Sequence, residues 1–287
     1  MKKVALCLLL SAYTLCSYGQ HGLYYIEHTY EEDPYDELSY YFAGGNFLSD
    51  NVYLGRKDST KLPYLSTYAG YQFHNGIYAK ATASYALTKR TGHFDLLTLE
   101  LGYDRTFGQH LLTGVSIEKY FYQRNSPGVK AAIQESGCLY AQYKSAVIEP
   151  TASLTMNRSK ATDVIVSLGI DHVFRYRENT LNLVPAIFFN YGSVNYYSQY
   201  FINRQLKKDH TLMIAEAVKD AAGYKPLDLE FSLRTTLRAG EWLFTLNPVY
   251  SVPLSAATIT LPNKTIQEKL SSSLVIELDV CYRHERK

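Results

Sequence analysis

The sequence predicts an all-β protein: a transmembrane, antiparallel, up-and-down β-barrel of about 12 strands. Three observations carry that expectation. Strand-length segments follow one another from residue 38, joined in turn by tight turns and by longer polar stretches. Within them, apolar residues alternate with polar and charged ones at the two-residue period of a sheet with unlike faces. Although 46% of the chain is hydrophobic, no run approaches the roughly 18 apolar residues of a membrane helix. A chain that crosses a bilayer with strands must close its sheet, because an open edge leaves backbone groups unsatisfied in hydrocarbon.

The elements can be justified in order. Met1, Lys2 and Lys3 form a charged start, Val4 to Leu15 an apolar stretch too short to span a bilayer, and Ser17 and Gly19 supply small residues. Residues 1–19 therefore read as a secretory signal peptide cut before Gln20. A lipidated start at Cys16 fits less well, since Tyr13, Thr14 and Leu15 lack the small residue wanted before such a cysteine. Residues 20–37, with Tyr24, Tyr25, Glu31, Glu32, Asp33 and Asp36, form an acidic periplasmic lead-in, and 38–287 the barrel.

Twelve segments can be drawn: 38–48, 64–73, 76–87, 94–107, 110–122, 138–148, 151–157, 163–177, 180–197, 227–238, 241–253 and 272–283. Tight joints fall at His74-Asn75-Gly76, Gly108-Gln109, Glu149-Pro150, Glu178-Asn179-Thr180 and Ala239-Gly240-Glu241. Stretches 49–63, 88–93, 124–135, 157–162, 200–226 and 255–270 connect the other ends. Short turns face the periplasm in such barrels and longer loops face outward. In the loop at 200–226, Asp209 is a good N-cap and Gly223 a good stop, with Leu212, Ala215, Glu216 and Lys219 at helical spacing, so a short outer-loop helix is expected.

Parity assigns the faces. In the tenth segment Leu227, Leu229, Phe231, Leu233, Thr235 and Leu237 share one side and Asp228, Glu230, Ser232, Arg234, Thr236 and Arg238 the other. An Arg at the bilayer midplane costs about 2–4 kcal/mol, so the charged side faces the lumen. The last segment repeats this, with Leu274, Ile276, Leu278, Val280 and Tyr282 outward and Glu277, Asp279 and Cys281 inward. In the third, Ile77, Ala79, Ala81, Ala83 and Tyr85 point out while Tyr78, Lys80, Thr82 and Ser84 point in. The same rule gives the lumen Glu100, Asp104, Glu118, Lys144, Asp171 and Arg175, with Gln142, Asn182, Asn190 and Asn247. Two uses fit these charges: an ion-pair network that fills a narrow barrel, or a polar pathway with weak selectivity.

Alternation also suits a soluble sandwich or a lipocalin-like barrel, so aromatic placement must decide. Outward aromatics at the turn ends are Tyr71, Phe73, Tyr103, Phe107, Phe174, Tyr176, Trp242 and Tyr282, and those at the loop ends Tyr85, Phe121, Tyr191 and Tyr250. These form two girdles, one for each membrane interface.

With the girdles in place, the layout from Leu38 to Tyr282, the Met1-Lys2-Lys3 signal and Gln20 at the mature start resemble the outer-membrane β-barrel proteins of Bacteroidota. The resemblance is one of layout. It implies a place in the bacterial outer membrane, contact with its lipid, and insertion with the help of the barrel-assembly machinery. Such barrels often end in an aromatic residue, whereas this chain ends Tyr282-Arg283-His284-Glu285-Arg286-Lys287 and holds its aromatic internally.

Other chemistry finds little footing. Net charge is +2, with no basic cluster interleaved with aromatics, so nucleic acid is not an expected partner. Cys138 and Cys281 survive signal removal and fall at opposite ends of their strands, too far apart for a disulfide. No Cys/His spacing suits a metal, and neither cofactor nor enzymatic activity is expected. No His has Ser two residues away, as a barrel phospholipase would need; His93 and Asp95 form an isolated rim pair, and Asp58-Ser59-Thr60 is a weak O-glycosylation match. The expected function is a porin-like passive channel for small polar solutes. The alternative is a structural barrel with a plugged lumen, its loops meeting a partner or surface polysaccharide, and a remote one is an outer-membrane hydrolase.

Overall fold

The computed structural model describes residues 38–57, 61–87, 92–124, 126–177, 180–196, 223–256, 258–261, 264–267 and 270–285. The expected signal peptide, the lead-in, Asp58-Ser59-Thr60 and the expected outer-loop helix up to residue 222 lie outside these residues.

The described chain is a closed antiparallel barrel. Its elements are β1 (Tyr40–Leu48), β2 (Val52–Tyr53), β3 (Arg56–Lys57), β4 (Tyr64–Gln72), β5 (Ile77–Leu87), β6 (Gly92–Phe107) and β7 (Leu111–Tyr122). There follow β8 (Glu135–Tyr143), β9 (Glu149–Arg158), β10 (Thr162–Asp171), β11 (Phe174–Tyr176) and β12 (Leu181–Gly192). The last are β13 (Lys225–Ala239), β14 (Trp242–Pro253), β15 (Thr258–Leu261), β16 (Lys264–Gln267) and β17 (Ser273–Glu285). The wall has twelve staves, with β10 and β11 forming one interrupted stave. Sequential neighbours pair all round, and β1 meets β17 from Tyr40↔Glu285 to Leu48↔Glu277 to close the ring.

Alternation in the sequence becomes an inside and an outside. In β5 the outward Ile77, Ala79 and Tyr85 are interleaved with buried Tyr78, Lys80, Thr82 and Ser84. The outer wall is an apolar belt in which Ile117, Leu139 and Leu168 stand more than half exposed. Gly76 closes the β4–β5 turn with φ 95, a conformation only glycine adopts cheaply, while Phe73 O accepts from Gly76 N at 3.0 Å.

Four expectations need correction. The joint placed at Glu149-Pro150 lies earlier, at residues 144–148; both residues belong to β9, and β8 is 135–143, not 138–148. Ala146-Val147-Ile148 reads as strand because it is apolar. Ser145 nevertheless turns the chain there, its hydroxyl donating to Ile148 O at 2.6 Å and accepting from Val147 N and Ile148 N at 3.3 Å. Secondly, Leu227 is not on the lipid face: it is fully buried at the outer mouth. A bulge explains it, since Asn190 pairs Asp228 while Tyr191 pairs Pro226, leaving Leu227 as the extra residue.

Thirdly, the segment expected at 163–177 is broken at His172-Val173. The residue opposite His172 is Pro185, whose carbonyl accepts from His172 N at 3.3 Å but which has no N–H to return. Fourthly, two stretches expected as plain loops carry hairpins, β2–β3 inside the first and β15–β16 inside the last.

Candidate functional site

The inner wall is a continuous polar surface, built row by row by strand register. Lys80 on β5 stands opposite Glu100 on β6, which stands opposite Glu118 on β7. Lys80 Nζ lies 3.6 Å from Glu100 Oε2, and the Tyr78 hydroxyl donates to Glu100 Oε1 at 2.8 Å. Tyr120 donates to Glu118 and Tyr140 to Asp104. On the far side of the seam the Tyr68 hydroxyl donates to both Asp279 oxygens at 3.0 Å. Glu277 accepts from the Asn46 and Asn247 amides at 3.0 and 3.1 Å. Asp228 takes the Asn190 amide and the Ser251 hydroxyl at 2.8 Å each. Asp171, opposite Glu149, accepts from Gln142 at 3.2 Å. Glu230 and Arg234 are buried on β13 and Lys144 at the turn end of β8, while Arg175 and Arg238 are half-buried near the turns.

Aromatic rings line this wall without crossing it. Five inward glycines, Gly44, Gly70, Gly102, Gly114 and Gly169, face Tyr68, Phe42, Tyr78, Tyr140 and Phe188 directly across their strand pairs. Each ring lies on its glycine, where a methyl group would overlap it. Laid flat, Tyr68, Tyr78 and Tyr140 reach along the wall to the carboxylates named above.

Among the described residues apolar packing gathers at both ends of the barrel. At the turn end Tyr40, Phe42, Tyr68, Tyr78, Leu243 and Cys281 pack together. At the loop end the β2–β3 hairpin and residues 126–134 fold inward, so that Tyr53, Leu54, Val129 and Ile133 pack with Tyr120, Ile165, Val194, Tyr196 and Leu227. Three aspartates hold these loops. Asp50 accepts from Leu62 N at 2.9 Å, Asp95 from the Tyr64 and Ser126 hydroxyls at 2.5 and 2.8 Å, and Asp163 from Ser193, Asn195 N and Tyr196 N at 2.8, 2.5 and 2.9 Å.

His93 does approach Asp95, at 3.3 Å. The Ser126 hydroxyl donates to the same Asp95 carboxylate and so ties its loop to β6. At the centre of the plug, Lys130 sits with its Nζ 4.5 Å from the Tyr53 ring centroid and 5.1 Å from that of Tyr120. Burial pushes its pKa down to about 8 against the opposing pull of Glu118, and burial raises Tyr53 and Tyr196 well above the ordinary tyrosine range.

On the outside, Phe73, Phe107, Phe174, Tyr176 and Trp242 are exposed at the turn end, with Tyr71, Tyr103 and Tyr282 half-buried beside them. Trp242 and Tyr282 rings are 5.0 Å apart, and Tyr41 contacts Tyr71 at 4.5 Å. At the loop end Tyr85, Phe121, Tyr191 and Tyr250 are exposed. Tyr41, Tyr143, Phe94 and Tyr224 share these levels and were not expected; parity would have found Tyr41 and Tyr143, but it places Phe94 inside, and only the register shift opposite Ser84 and Tyr85 turns that ring outward. Arg283, buried over the Tyr40 ring at 5.7 Å, ends the segment expected at 272–283 and has the parity of Glu277, Asp279 and Cys281, so alternation would have placed it inside, whereas nothing in the sequence marks Arg56 or Lys130 as buried. Cys138 and Cys281 are not joined by a disulfide, and both are buried. Among the described residues no group of three or more His, Cys, Asp or Glu is placed to hold a metal.

No protein-family model matches the chain, and no curated protein matches it. Solved structures do. The KdgM porin is 8% identical with a TM-score of 0.44, covering 85% of this chain and 98% of its own. An outer membrane channel from Pseudomonas putida F1 is 10% identical with a TM-score of 0.44, covering 88% and 100%. LpxR from Salmonella typhimurium is 7% identical with a TM-score of 0.46, covering 84% and 99%. Likeness at this level is a likeness of barrel architecture.

Proposed function

We propose that the protein is an outer-membrane β-barrel of the porin type, passing small polar solutes, and that the arrangement described here is its closed state. A closed sheet with an apolar belt between two aromatic girdles suits an outer membrane, where it would meet lipid after insertion by the barrel-assembly machinery. The observation that carries the reading is the inner wall, which presents carboxylates, amides and cations from one mouth to the other while apolar packing gathers at the two ends. Hydrated solutes need such a wall. No enzymatic role is proposed.

A second reading rests on the same wall: Lys80, Glu100, Asp104, Glu118, Glu277 and Asp279 are each under 8% exposed, as they would be in a permanently filled barrel whose outer loops meet a partner or surface polysaccharide. Planar-bilayer recordings separate the two. The intact protein is expected to show rare openings, and a variant in which residues 52–57 are replaced by a short Gly-Ser turn together with Lys130→Ala is expected to conduct steadily. Silence from both, with the barrel still folded, would sink the channel reading and leave the filled barrel.

A further inference from the structure

One stretch of outer wall is hollow. On the lipid side of β6 to β9, Leu99, Leu101, Ile117 and Met156 border a groove of about 540 Å³ whose floor is Gly137. Gly137 pairs with Ile117 on one side and Met156 on the other, and a side chain at this glycine would meet nothing closer than Ser116 O at 3.9 Å. The groove opens upward onto a charged row in direct cross-strand register, Lys119, Glu135 and Arg158. Lys119 Nζ is 2.6 Å and Arg158 Nη1 3.3 Å from the Glu135 carboxylate. Two cations share one anion, so the row carries a net positive charge, and the Arg158 side chain is 72% exposed. Phe121, two residues beyond Lys119 on the outward face of β7, belongs to the loop-end girdle and sets the row at interfacial depth.

We infer that this groove is a specific site for an anionic diacyl phospholipid of the surrounding bilayer, one whose phosphate has no cationic headgroup beside it, with one acyl chain lying over Gly137 and the phosphate meeting Arg158 and Lys119. The chemistry divides by depth. Below, a dry apolar trough accepts a chain by dispersion contacts that a flat wall cannot offer. Above, an exposed guanidinium offers the paired N–H geometry that phosphate oxygens accept.

Native mass spectrometry of the full chain released from detergent tests this, with phosphatidylglycerol or phosphatidylcholine of identical acyl chains as probes. The intact protein is expected to retain one phosphatidylglycerol in preference to phosphatidylcholine. Arg158→Gln should lower phosphatidylglycerol retention about five-fold, the effect of one basic residue at an anionic lipid surface, with phosphatidylcholine unchanged. Glu135→Gln should act in the opposite sense by a similar factor, because it removes the competing carboxylate. Gly137→Leu should abolish retention of both lipids by filling the trough. Equal retention of the two lipids by the intact protein, or a Glu135→Gln variant that binds phosphatidylglycerol no better, overturns the site and leaves only non-specific boundary lipid. The two charge variants change exposed side chains, so they remain informative even if Gly137→Leu fails to fold.

Discussion

Lys130 enters the interior from an outer loop, and its burial there should make the outer mouth sensitive to pH. Closed, it is desolvated between Tyr53 and Tyr120 near Glu118, with its pKa near 8; opening would return it to water and to an ordinary value near 10.5. Between those two values the open state binds more protons than the closed one, so the closed state gains relative stability as pH rises through that window. Each pH unit contributes at most about 1.4 kcal/mol. Opening frequency in bilayer recordings should therefore fall from pH 8 to 10.5, and Lys130→Met should flatten that dependence; a frequency that rises across the same window contradicts the argument. Gly102 allows a second prediction at this scale. Gly102→Val drives two methyls into the Tyr78 ring and displaces the hydroxyl from Glu100, which should cost about 1–3 kcal/mol in urea unfolding from detergent.

Among the elements, the β12–β13 pair shows where reading by parity stops. Alternation puts Leu227 beside Leu229 and Leu233, facing lipid; the bulge between Asn190 and Tyr191 turns it into the outer plug. Leu227→Ala should then cost about 2–5 kcal/mol, as a truncated core leucine does, whereas Leu233→Ala on the belt should cost clearly less. Equal costs in equilibrium unfolding would return Leu227 to the lipid face. The same limit explains what was legible in the chain. Charged rows such as Glu277 and Asp279 or Glu230 and Arg234 lie within regular ladders, so a two-residue period places them. Turns built from a single hydroxyl, such as that at Ser145, leave no periodic trace, and the apolar Val147-Ile148 behind it imitates a strand. Loop residues that fold back into the barrel are harder still. Asp50, Arg56, Lys130 and Asp163 look like ordinary exposed loop or strand-end polar groups until the long-range contacts that bury them exist.

For the molecule as a whole, strand number and closure were readable, because twelve alternating segments with short and long joints leave few other ways to satisfy the backbone in a bilayer. Whether the lumen is filled was not readable, since filling depends on how rings and loops meet across the bore. The protein should fractionate with the outer membrane and show heat-modifiable gel mobility; recovery as a detergent-free soluble monomer would exclude the membrane placement. Cys138 and Cys281 should resist thiol reagents until the barrel is unfolded, because both are under 4% exposed. If the channel conducts, Glu230→Gln combined with Glu277→Gln should shift selectivity toward anions, through the loss of two wall carboxylates. Unchanged reversal potentials in a salt gradient would place the conducting path elsewhere.

Pro185 gives this edgeless wall a place to begin coming apart. A ring of hydrogen-bonded staves has few natural fraying points, since every strand of the wall except β11, which pairs with β12 alone, is held on both sides. Opposite His172 the ladder misses one donor, and the stave beyond it is only the three residues of β11. Slow-exchange labelling should therefore find the amides of Phe174 to Tyr176 exchanging well before those of β5, which is laddered to β6 along its eleven residues and to β4 from Tyr78 to Ala86. Unzipping that starts there would part β10 from β12 while the β1–β17 closure is still intact, so the last contact made in closing the ring need not be the first one lost.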